Sequence, residues 1–226
     1  MKEIMIVNTS TDHFGEFSKP TGLWLGELVH FYDYFNDGNY EIDIFSVEGG
    51  ETPIDPVSLN PVFLDKVTKR YYDDEKFMTQ LKYSKSIKEA DPSKYDVIYF
   101  TGGHGVMFDF PNNKYIQNAI NEVYGHNGIV AAVCHGIAAL LNVKDNNGRY
   151  FIDQKQMTGF SNTEELLANR KKLVPFMLED EIKRRGADYQ KAMLPFTPEV
   201  ETDGRLVTGQ NPQSPKQVAQ AVSRLL

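Results

Sequence analysis

The run Gly128-Ile-Val-Ala-Ala-Val133 is small or β-branched throughout and uncharged, the pattern of a central strand buried on both faces. Ile4 to Asn8 and Tyr95 to Thr101 read as strands as well, while Tyr40 to Val47 alternates apolar and polar positions. Between the first two strands, Leu23, Trp24, Leu28, Phe31, Tyr32 and Phe35 recur at helical spacing and predict an amphipathic helix over Gly22 to Phe35. Further helices are expected at Asn112 to Tyr124, after Ser161, at Val174 to Arg185 with Gly186 as its stop, and at Ser214 to Leu226. Gln156 to Phe160 reads as a short strand, Asn146-Asn-Gly148 as a hairpin turn, and two strands flank Asp203-Gly204. Glu48 to Lys94 breaks the rhythm with Gly-Gly, four prolines and a charged helical segment from Asp73 to Glu89. It is expected to be an insertion of loop and helix capping one face, a lid or a dimer surface. Lys69-Arg70 and Asp73-Asp74-Glu75 within it suit a solvated face.

Strands alternating with helices predict a parallel sheet covered on both sides, with sites beyond the carboxyl ends of its strands. The loops after Asn8, Thr101 and Val133 are therefore the candidates for chemistry.

Cys134 comes directly after the central strand, with Gly136 to relieve crowding and Ala138 to Leu141 favouring helix. A thiol at such an elbow meets unpaired N–H groups and the helix dipole, which favour its thiolate and suit a nucleophile. The alternative is an inert packing cysteine. Gly102-Gly103-His104-Gly105 lets backbone N–H groups face an anion, or is a plain turn; His104 is loop filler or pocket wall. Neither dinucleotide nor P-loop spacing is present, and no metal-ligand motif, so no cofactor and no metal are expected. Glu27 reads by pattern as a solvated first-turn carboxylate, and His30 as packing or surface.

Composition narrows the partners. With 24 Lys and Arg against 31 Asp and Glu, the net charge of −7 disfavours nucleic acid and anionic membrane and favours small molecules. A single cysteine permits no internal disulfide and fits a reducing compartment. The short N-terminal apolar run is too early interrupted for a signal peptide or membrane span, so a cytoplasmic location is expected.

Six segments taken in order resemble the ThiJ/PfpI family of the class I glutamine amidotransferase-like fold over nearly all of residues 1–226. They are Thr21-Gly-x-x-x-x-Glu27, Thr101-Gly-Gly-His-Gly, Ala132-Val-Cys-His-Gly136, Thr158-Gly-Phe-Ser-Asn-x-Glu-Glu165, Val174-Pro-Phe-x-Leu-Glu-Asp180, and Asp203-Gly-Arg-Leu-Val-Thr-Gly-Gln-Asn-Pro212. The resemblance implies one α/β domain, a flavodoxin-like three-layer sandwich with a mostly parallel central sheet, a nucleophile elbow and an insertion at about 48–94. It is strongest to the branch of small heat-shock proteins acting as glutathione-independent glyoxalases (D-lactate dehydratases). That branch implies Cys134 as nucleophile, His135 as acid/base, and Glu165 by offset as the carboxylate orienting it, with Glu164 the alternative. The same resemblance brings Glu27 to the thiol and overrides its solvated reading. A protonated Glu27 would hydrogen-bond the thiolate and lower the thiol pKa. The N–H groups of Gly103 and His135 would form an oxyanion hole. Trp24, His104, Met107 and Phe108 are candidate pocket walls.

The expected reaction turns methylglyoxal or a related 2-oxoaldehyde into a 2-hydroxy acid through a cysteine hemithioacetal. A cysteine amidase or peptidase, or a protein deglycase, would use the same groups. A third reading is a stress chaperone or thiol redox sensor, with unfolded-protein clients meeting an apolar patch over Val57 to Val67. The family's habit suggests a homodimer.

Overall fold

The computed structural model describes residues 1–226. In chain order its elements are β1 (Lys2–Asn8), α1 (Leu25–Phe35), β2 (Tyr40–Ser46), α2 (Lys66–Tyr72), α3 (Glu75–Lys82), β3 (Lys85–Ser86), β4 (Val97–Phe100), α4 (Val106–Asp109), α5 (Lys114–Gly125) and β5 (Ile129–Val133). After β5 come a 3-10 helix (Cys134–Leu140), β6 (Gln156–Met157), α6 (Asn162–Leu167), α7 (Leu178–Arg184), β7 (Asp188–Tyr189), β8 (Val200–Asp203), β9 (Leu206–Gly209) and α8 (Pro215–Leu225).

Seven strands form one sheet in the order β3-β2-β1-β4-β5-β9-β8, parallel except for the β8–β9 hairpin. β4 and β5 are buried along their whole lengths, as their unbroken apolar runs require. α1 and α8 pack together, α8 also lying on β5 and β9, and α5 covers β4 and β5, giving the layered α/β fold. Strand order reverses between β1 and β4, so the loops leaving their carboxyl ends diverge and open a crevice there. Phe31 of α1 stacks on Tyr99 of β4 with ring centroids 3.7 Å apart. The Tyr99 hydroxyl donates to the Glu27 carbonyl at 2.9 Å, locking the first turn of α1 over that crevice.

Several boundaries differ from the pattern's expectation. α1 begins at Leu25, because Gly22 (φ +153°) lies against the Pro53 carbonyl and Leu23 bridges Ile54, keeping the chain extended through Trp24. Asp74 divides the charged helical stretch by accepting from the N–H of Lys76 and Phe77, so α3 starts there and a separate α2 precedes it. α3 ends at Lys82, and Lys85–Ser86 pairs with Phe45–Ser46, returning the chain to the edge of the main sheet. α7 starts only at Leu178, after Pro175. The turn at Asn146-Asn-Gly148 closes a single bridge, Lys144 to Tyr150, with no hairpin strands.

Candidate active site

β5 delivers Cys134 to the carboxyl edge of the sheet, and the chain turns there with Cys134 at φ +57°. A left-handed non-glycine residue costs about 1–3 kcal/mol and persists only where its surroundings enforce it. Gly136 supplies the enforcement: a Cβ there would stand 2.6 Å from the carbonyl oxygens of Phe100 and Thr101. The elbow thus lies flat on the end of β4. From Cys134 to Leu140 the chain winds as a 3-10 helix, where an α-helix from Ala138 was expected.

His135 points back at its neighbour, with Nδ1 3.4 Å from Cys134 Sγ. Its Nε2 lies 2.7 Å from Glu165 Oε2. Burial pushes the Glu165 carboxyl up, but the charges and hydrogen bonds of His135 and His104 outweigh it and hold it well below the usual carboxylate range. An ionised oxygen only accepts, so His135 Nε2 donates and Nδ1 offers its lone pair to the thiol. Of the two adjacent glutamates, Glu165 is the one hydrogen-bonded to His135. Glu164 is spent on the capping box with Ser161 and on the Phe196 N–H and Asn211 amide, facing away from His135.

Glu27 approaches from α1, fully buried, with Oε2 accepting from the Gly102 N–H at 2.7 Å and Oε1 without a hydrogen-bond partner. Burial pushes its carboxyl up to about 8, against the opposing influence of Cys134 and Gly102. Burial likewise pushes the Cys134 thiol up, and Glu27 pushes it further, while the His135 N–H beside the sulfur acts the other way. The expected thiolate is thereby corrected. At 2 % exposure the loss of hydration outweighs what one short helix terminus supplies, and both groups favour their neutral forms near pH 7.

Gly103 (φ +99°) lines the same space, and a Cβ on it would meet the Gly22 carbonyl at 2.1 Å. Its N–H has no protein acceptor, and the His135 N–H faces the sulfur. The cavity above these groups is about 630 Å³ and is walled by Trp24, Val57 and Phe63 on one side and Phe160, Leu167 and Phe196 on the other. Trp24 and His104 therefore line it as expected. Met107 and Phe108 do not: the turn of α4 carries Met107 into the core and Phe108 beside Gly15 and Phe14. Four contributors were not expected in the pocket from the sequence, although two of them lie in the apolar stretch Val57 to Val67. Phe63 and Val57 come from the irregular stretch between β2 and α2, Phe196 from a loop at φ +58°, and Arg170 from the segment after α6.

His104, His135 and Glu165 are the one group whose donor atoms lie close enough together for a metal ion. Both imidazoles already donate to the carboxylate, and the Arg170 guanidinium stands 3.2 Å from His104, so the donors are engaged and a cation is next to them. The trio fits a hydrogen-bonded relay better than a metal centre. No helix is long and apolar enough to cross a membrane.

The chain is similar over its length to several known proteins. "Glyoxalase 3" of Candida albicans is 33% identical over 229 residues, covering 98% of this chain and 97% of that protein. Among solved structures, the Rapid Encystment Protein 24 kDa of Francisella tularensis superposes with a TM-score of 0.96 at 43% identity, covering 100% of this chain and 99% of that one. Glyoxalase III of Candida albicans superposes with a TM-score of 0.90 at 33% identity, covering 100% and 97%. The DJ-1/PfpI family profile matches residues 25–225, and the chain belongs to the DJ-1/PfpI family.

Proposed function

We propose that this protein is a glutathione-independent glyoxalase, converting methylglyoxal or related 2-oxoaldehydes to 2-hydroxy acids. The observation that carries the reading is the Cys134 sulfur 3.4 Å from His135 Nδ1, with Glu165 behind the imidazole and Glu27 beside the thiol. Full-length similarity to a protein named glyoxalase 3 supports it.

The thiol is neutral at rest, so its proton passes to His135 Nδ1 as sulfur adds to the aldehyde carbon. We assign the new oxyanion to the N–H groups of Gly103 and His135, donors of a kind worth about 3 kcal/mol each in a transition state. His135 returns that proton to the oxyanion, giving the neutral hemithioacetal, and its freed Nδ1 then takes the proton from the former aldehyde carbon. The electron pair forms an enediol, and a proton returned to the neighbouring carbon leaves a 2-hydroxy thioester. Water cleaves the thioester, releasing the 2-hydroxy acid and restoring the thiol. The redox change is internal, since one carbon is oxidised as its neighbour is reduced.

Incubating purified, chelator-treated protein with methylglyoxal alone tests this. D-lactate is expected from the wild type and none from Cys134→Ala; equal lactate from both, or none from either, overturns it. A second reading has its own observation. Val62 is 83 % exposed beside the half-exposed Phe63 and Val57 at the cavity mouth, an apolar surface that suits unfolded clients or a second copy. Suppression of client aggregation that persists in Cys134→Ala would separate this role from catalysis.

A further inference from the structure

Glu165 is held from two sides. Its Oε2 accepts from His135, and its Oε1 accepts from His104 Nε2 at 2.9 Å. Behind His104, Arg170 Nη1 lies 3.2 Å from Nδ1, and the same nitrogen donates to Asp55 Oδ2 at 2.7 Å. Asp55 is itself set by Thr21 Oγ1 at 3.1 Å and by capping Val57. Every member is buried. Because a guanidinium only donates, His104 Nδ1 must accept, and its one remaining proton must sit on Nε2, facing Glu165. Donation runs from Arg170 to His104 to Glu165 on one side and from the thiol to His135 to Glu165 on the other, the two chains meeting at the carboxylate.

We propose that His104 is a positioning residue for the reaction: anchored by Arg170, it binds the second oxygen of Glu165 and so sets the tautomer and aim of the His135 imidazole. The inference rests on reading Cys134 and His135 as the reacting pair. Two further observations support it. Burial, with the charge of His135, brings His104 down to about 4, so it stays neutral and keeps the single N–H the chain of bonds requires. Its ring lies 4.0 Å from that of His135, which has Phe160 at 4.3 Å on another side, so the imidazole is held by ring contacts as well. The charged groups around Glu165 are His104 and His135 in contact, Arg170 and Asp55 behind His104, and Glu27 and Cys134 beyond His135. Glu164 is turned to Ser161 and Asn211.

Three variants separate the arms. His104→Phe keeps a ring but withdraws both polar contacts. His104→Asn keeps an acceptor near Arg170 but has nothing reaching Glu165. His104→Gln places an amide N–H near the old Nε2 and restores the contact. Thermal melting first identifies folded variants. In those, kcat on methylglyoxal is expected to fall about tenfold or more for Phe and Asn, with KM within about twofold and recovery in Gln. The acid limb of the kcat profile should move to higher pH, since Glu165 loses a donor that keeps it ionised. Alkylation of Cys134 by iodoacetamide, read across the same pH range, should shift with it, and this readout needs no turnover. Wild-type protein without turnover defeats the glyoxalase reading, and the alkylation profiles then decide the relay alone. Unchanged profiles in folded His104→Phe and His104→Asn, or loss in Gln equal to that in Asn, overturn the role of His104.

Discussion

Glu27 and Cys134 occupy one buried corner in which at most a single negative charge is tolerable, and Glu27, raised to about 8, marks the pH at which the first proton of the pair leaves. Thiol alkylation is therefore expected to begin at lower pH in Glu27→Gln than in the wild type, where the charge Glu27 acquires above about pH 8 holds the thiol protonated. Stability should track the same group. Above the unfolded value of 4.5 the unfolded chain has released a proton that the folded chain keeps until about pH 8. The Glu27 contribution thus falls with rising pH across that window, by about 1.4 kcal/mol per pH unit. Urea unfolding at pH 5 and pH 8 should show wild type losing this increment relative to Glu27→Gln; parallel losses would refute the assignment. Cys134 was legible because a buried strand running into Cys-His-Gly leaves few places for the thiol. The partner glutamate was legible only in part. Spacing from Gly159 allowed either neighbour, although the Ser161-x-x-Glu164 capping box already claimed one of them. Thiol ionisation was misjudged because a sequence displays the helix start but not the depth of burial. Met107 and Phe108 were misplaced because nearness to His104 along the chain says nothing about which way one turn of α4 aims them.

At the scale of elements, the sheet was readable because β4 and β5 need unbroken apolar runs and β2 an alternating one. Residues 48–94 were not, because their order depends on side chains meeting distant backbone. Ser84 exchanges backbone hydrogen bonds with Gly50, and Asp55 reaches across to Arg170, 115 positions away. That last pair joins the insertion to the segment after α6 and sets one wall of the cavity. Both ends are nearly or fully buried, so removing one charge leaves the other uncompensated. Asp55→Asn should cost about 3–5 kcal/mol in denaturant unfolding. A cost below about 1 kcal/mol would mean that solvent reaches the guanidinium and that the insertion is held by apolar contacts alone.

The whole molecule places its nucleophile at the bottom of a hollow much larger than a three-carbon oxoaldehyde. A cavity of about 630 Å³ falls within the range that binds drug-sized ligands, and most of its wall is aromatic or aliphatic. Methylglyoxal would touch only the floor, where Cys134, His135 and Gly103 stand, and would gain little from Phe63, Phe160 or Phe196 above it. A 2-oxoaldehyde carrying a ring presents the same reacting carbons and buries extra apolar area against those walls. One well-seated methylene in a hydrophobic pocket changes discrimination by about 1–3 kcal/mol, so a phenyl group should raise kcat/KM about tenfold or more. Phenylglyoxal is accordingly expected to be turned over with higher kcat/KM than methylglyoxal. The gain should appear chiefly in KM, since the ring is bound equally before and during the chemical step. Phe196→Ala should shrink the preference while leaving kcat on methylglyoxal close to wild type, because Phe196 lines the upper cavity and Glu164 takes only its backbone N–H. Equal kcat/KM for both aldehydes would mean that the hollow serves passage or a larger partner, with selection confined to the floor.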